Sequence, residues 1–160
     1  MRNIMIATMS VFFAIVLALL PMPESAAWLR PAWVLMVLIF WTMTIPFQVN
    51  VGFAWTAGII LDLLTGTMLG EHALALTLVT YMSYRFHLRL NMYPLVQQAV
   101  TVLVFTLIYQ AIIFSLQSII GQPPRSHMYW LSSVTTMFFW PWFYILMRDY
   151  SHRFQVIVAD

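Results

Sequence analysis

The chain has 160 residues, of which 62% are hydrophobic and 8% charged, and its mean hydropathy is +0.87. No water-soluble fold of this length hides so much apolar surface, which excludes a soluble catalytic module. The net charge of +2 rests on seven arginines and no lysine, scattered at the ends of apolar runs, so it is no nucleic-acid signal; the absence of cysteine removes disulfides, thiolate metal sites and a cysteine nucleophile.

Six apolar runs follow one another. The first, residues 4–20, ends at Pro21-Met22-Pro23 and is longer than the apolar region of a signal peptide, so it reads as an uncleaved first span. The second opens on Arg30-Pro31 and closes at residue 45 before Pro46. The third covers residues 51–64 and leads into Thr65-Gly66-Thr67-Met68-Leu69-Gly70. The fourth runs over residues 72–90 with Arg85 and Arg89 at its end, and the fifth over residues 95–120, where Gly121-Gln122-Pro123-Pro124 stops it. The sixth covers residues 128–147 and carries Pro141, which predicts a kink. With a spanning helix needing ~20 apolar residues, the expectation is an all-α integral membrane protein of about six transmembrane helices, residues 1–160 forming a single polytopic domain.

An even number of spans puts both termini on one side. A cytoplasmic placement gathers Arg2, Arg85, Arg89, Arg148 and Arg153 inside and leaves Arg30 and Arg125 outside, as the positive-inside rule requires. Arg85, Arg89, Arg148 and Arg153 are the topology anchors of this orientation. Trp28, Trp33, Tyr129 and Trp130 then lie near the outer interface, with Tyr93 and Tyr150 near the inner one.

Asp62 is the one carboxylate well inside a predicted span, where an aspartate costs ~2.5 to 3.5 kcal/mol, so it should face protein or water. Ala54, Gly58, Asp62, Gly66 and Gly70 recur every four residues, a spacing that on a helix makes a small-residue groove for a close neighbour. Within such a groove Asp62 accepts hydrogen bonds from a neighbouring helix or the adjoining turn; the other reading makes it an ion, proton or ligand site. On the packing reading Asp62→Asn is tolerated and Gly58→Leu fails. Thr77, Thr80, Tyr81 and Tyr84, then Thr106, Gln110 and Gln117, then Ser132, Thr136 and Trp140 form mildly polar stripes that read as hydrogen-bond links between helices. The four histidines lie at run ends without the one-turn spacing of a zinc pair, and no nucleophile elbow or phosphate loop occurs. No enzyme activity, metal or cofactor is expected.

The run Arg30-Pro31-Ala32-Trp33-Val34-Leu35, the stretch from Val49-Asn50-Val51-Gly52 through Gly58, Asp62 and Gly66 to Gly70-Glu71, and Trp140-Pro141-Trp142 ahead of Met147-Arg148 together resemble the MreD family of rod shape-determining proteins. The resemblance spans nearly the whole chain. It implies a non-enzymatic bacterial inner-membrane scaffold or regulatory subunit of the cell-elongation machinery that builds lateral peptidoglycan. The partners it implies are MreC, bound directly, and MreB and RodA with its class B transpeptidase as members of the complex, all beside membrane lipid and without nucleic acid. It also implies an architecture similar to the substrate-binding subunits of energy-coupling-factor transporters. The competing expectation is a small-solute binding subunit of a membrane transporter. A copurifying or stabilising small molecule separates the two.

Overall fold

The structure, a computed structural model, describes residues 1–154, and the C-terminal end expected in the cytoplasm lies outside the described residues. Each apolar run holds one helix, and prolines and glycines set the limits. Helix α1 (Arg2–Leu19) stops ahead of Pro21, and the connection winds one short turn, α2 (Glu24–Ala27). Helix α3 (Trp33–Thr44) begins after Pro31 and ends at Ile45, whose φ of −134° matches the extended bias imposed on a residue before proline. Helix α4 (Val51–Thr65) is capped by Asn50, whose side chain accepts from the backbone N–H of Gly52 and Phe53 at 3.1 and 3.3 Å. Helix α5 spans Glu71–Met92 and α6 Leu95–Ile119, and α7 (Leu131–Arg153) runs through Pro141. It starts later than residue 128 because His127–Trp130 winds as a 3-10 turn capped by Ser126.

Among the described residues, two helices, α1 and α6, are long and apolar enough to cross a membrane. Helices α3 and α4 are apolar but short, 12 and 15 residues, and α5 carries Glu71, Arg85 and Arg89. The six-crossing count therefore goes beyond what helix length and hydropathy show.

Helix α3 is the axis of the bundle. Ten consecutive residues, 34–43, are buried, so it has no outward face, and α1, α5 and α7 pack around it. Helix α4 bridges α5 and α1, and α6 bridges α5 and α7. Between α1 and α7 lies an apolar groove of about 470 Å³ bordered by Met9, Phe13, Phe143 and Leu146, with Val37 of α3 also lining it. The outside of the bundle is apolar as well: Phe12, Trp55, Leu63, Phe138 and Trp142 are each more than half exposed. A surface of that kind suits lipid and not water.

Candidate functional site

Asp62 lies one turn before the end of α4, and its side chain is 0% exposed. The chain beyond it folds back on itself. Gly66 closes α4 at φ 68° and Gly70 opens α5 at φ 99°, both in the left-handed region that glycine enters without steric cost. This reversal brings the first turn of α5 over the carboxylate. Oδ2 accepts from Gly70 N at 2.8 Å and Ala73 N at 3.4 Å; Oδ1 accepts from His72 N at 2.9 Å and the Thr67 hydroxyl at 3.1 Å. The imidazole Nδ1 of His72 lies 2.8 Å from the same Oδ1. Asp62 thus supplies from α4 the N-cap that Gly70 cannot supply for α5. It satisfies otherwise orphaned N–H groups and sets a negative charge at the positive end of the helix dipole.

The predicted groove splits into two parts. Ala54 and Gly58 are buried on α4, and at Gly58 the neighbour is the backbone of α5: an ideal Cβ there would sit 2.2 Å from Ala73 Cα and 2.7 Å from its nitrogen. Gly66 and Gly70 are not on that helical face. The helix ends at Thr65, and a Cβ at either glycine would meet nothing within 4 Å. Their role is backbone conformation, and the four-residue spacing continues past the helix end without marking a continued groove. The close neighbour of Gly58 is this chain's own α5.

The sequence reading missed a second buried carboxylate. Glu71 is 4% exposed, and its Oε1 accepts from Gln117 Nε2 of α6 at 2.6 Å. Its place at the start of α5, beside the reversal after α4, was the available signal. The polar stripes sort into three kinds. Gln110 and Gln117 do link helices or turns, as do Trp140, donating to Gln98 at 3.4 Å, and Thr136, accepting from Ala32 N at 3.1 Å. Thr106 bonds back into its own helix. Thr77 and Thr80 bury hydroxyls without a partner, while Tyr81 and Tyr84 face outward. Arg85, Arg89, Arg148 and Arg153 are all exposed, on the last turns of α5 and α7. Among the described residues no group of three metal-binding side chains occurs.

What this arrangement does chemically is hold two helix ends together with a charged acceptor. Both oxygens of Asp62 are taken by donors within the chain.

The model of the family described as rod shape-determining protein MreD matches residues 1–150. A curated relative, the rod shape-determining protein MreD of Haemophilus influenzae, is 33% identical over 146 residues, covering 89% of this chain and 88% of the relative. No solved structure matches the chain, so the expected likeness to energy-coupling-factor substrate-binding subunits has no support from that side.

Proposed function

We propose that this chain, which belongs to the MreD family of rod shape-determining proteins and so has a part in determining rod shape, acts as a non-enzymatic scaffold or regulatory subunit of the bacterial cell-elongation machinery. It binds MreC directly, with MreB and RodA and its class B transpeptidase as further members of the complex. It does so as one polytopic domain, residues 1–160, in the inner membrane. All six long helices cross the bilayer, with both termini in the cytoplasm and Arg85, Arg89, Arg148 and Arg153 at that face. The shorter α3 and α4 cross as parts of the packed bundle.

The observation that supports binding of a single-pass helix is the gap between α1 and α7. In a bilayer, helices associate through packing and not through exclusion from water, so a concave apolar seam is where another helix gains contact. Phe13 and Leu146, which border the seam, are 64% and 68% exposed. Replacing both with alanine removes contact area at little cost to the fold.

The test is affinity purification of the tagged chain from native membrane under mild extraction. MreC should copurify with the parent and be recovered several-fold less with the double variant, and depletion of the chain should round rod-shaped cells. Recovery of the chain only as a free monomer counts against the scaffold; undiminished MreC with the double variant assigns the seam to lipid.

A further inference from the structure

A cavity of about 440 Å³ lies beside Asp62, walled by the α1–α3 connection, the α4–α5 reversal and residues of α6 and α7. That is the size of a small-ligand site, far larger than one water needs. Its walls combine the rings of Trp28, Trp33 and Tyr109 with the polar ends of Arg30, His72 and Gln110.

Two polar atoms on these side chains are buried without a partner. One is Gln110 Oε1, an acceptor on a residue 4% exposed, and the other is Arg30 Nε, a donor. Neither is loose. Gln110 Nε2 donates to Tyr129 O at 3.0 Å and the Tyr129 hydroxyl donates back to Gln110 O at 3.2 Å, which fixes the amide with its oxygen left over. The terminal nitrogens of Arg30 donate to the carbonyls of Ala18 and Leu20 at the end of α1, leaving Nε over. His72 adds a third group: its Nδ1 is on Asp62, which leaves Nε2 as its other polar atom. Folded proteins leave few buried polar atoms unpaired, and two fixed unpaired atoms on residues lining one ligand-sized space, with His72 beside them, call for a complement.

We propose that this cavity binds a small uncharged polyhydroxylated solute, a mono- or disaccharide. A hydroxyl both donates and accepts, so one type of group satisfies Gln110 Oε1, His72 Nε2 and Arg30 Nε together. The carbon face of a sugar ring lies against the indoles of Trp28 and Trp33, apolar bodies with a polar edge. Charge argues against an anion: the guanidinium of Arg30 is already set on the carbonyl end of α1, while Asp62 and Glu71 are buried close by, Glu71 on the same Gln117 that lines the cavity. The site goes beyond the scaffold reading and stands whether or not MreC binds.

The test uses the full chain in detergent, titrated with glucose, N-acetylglucosamine and maltose, and with glucose 6-phosphate as the anionic arm, followed by thermal melting and tryptophan fluorescence. At least one neutral saccharide should give a saturable melting shift and fluorescence change below about 10 mM. Trp28→Ala, at a partly buried position in the connection, should weaken that binding about tenfold or more, as should Gln110→Leu. The tryptophan variant keeps the test decisive if Gln110→Leu misfolds. No saturable signal from any of the three saccharides overturns the proposal, as does preferred binding of glucose 6-phosphate or unchanged affinity in Trp28→Ala.

Discussion

Asp62→Asn replaces one carboxylate oxygen with an NH2 group and changes nothing else in shape, which isolates what the charge and the second acceptor contribute. Oδ1 faces His72 N at 2.9 Å and Oδ2 faces Gly70 N at 2.8 Å. Whichever way the amide turns, its NH2 points at a backbone N–H. The Thr67 hydroxyl and the His72 ring can exchange donor for acceptor; a backbone N–H cannot. One orphaned buried N–H costs about 1–3 kcal/mol, and loss of the charge at the start of α5 adds about 0.3–1 kcal/mol, so about 1.5–4 kcal/mol of stability should go. This reverses the tolerance expected from the sequence. The assay is reversible denaturant unfolding of parent and variant in mixed micelles, with Asp62→Ala, which orphans several N–H groups at once, placed further down the same scale. An asparagine variant within about 0.5 kcal/mol of the parent would refute the capping argument.

Gly58→Ala places a methyl group on the backbone of Ala73; it should cost about 1–3 kcal/mol by forcing α4 and α5 apart, seen as a lower melting temperature and, for Gly58→Leu, as failure to accumulate. Gly66→Ala and Gly70→Ala meet no steric neighbour but require positive φ, so each should cost about 1–2 kcal/mol by the same melt. Gln117→Leu strips the buried Glu71 of its donor and should destabilise by about 1–3 kcal/mol, and the double variant with Glu71→Gln should recover part of that loss in a double-mutant cycle.

Helix positions were legible because prolines at 21, 31, 46 and 94 punctuate the apolar runs and because residues that cannot continue a helix act locally. The importance of Asp62 was legible from its cost in an apolar run. That it accepts from a neighbouring helix or the adjoining turn was legible too; which groups donate was not, since Gly70, His72 and Ala73 are 8 to 11 residues away and reach it only through the reversal at the two left-handed glycines. Four-residue periodicity misled at Gly66 for the same reason: spacing describes a helix face only while the helix lasts. The burial of Glu71 was not legible because a glutamate at a helix N-terminus is usually a solvated edge, and here the packing of α6 against α5, with Gln117 donating to it, buries it.

Helix α3 has one further consequence. At 12 residues it is about 18 Å long, short of the ~30 Å hydrocarbon thickness, and its surroundings are other helices on every side. If it crosses the bilayer as proposed, it exchanges acyl chains for side chains on entering the bundle, oil for oil, so exclusion from water contributes almost nothing to its final placement. Shape selects its position together with two pins, the Trp41 indole donating to Ser10 of α1 at 2.6 Å and Asn91 of α5 donating to Met43 O at 3.0 Å, and the jacket of outer helices closes around a strut with no one side to steer it.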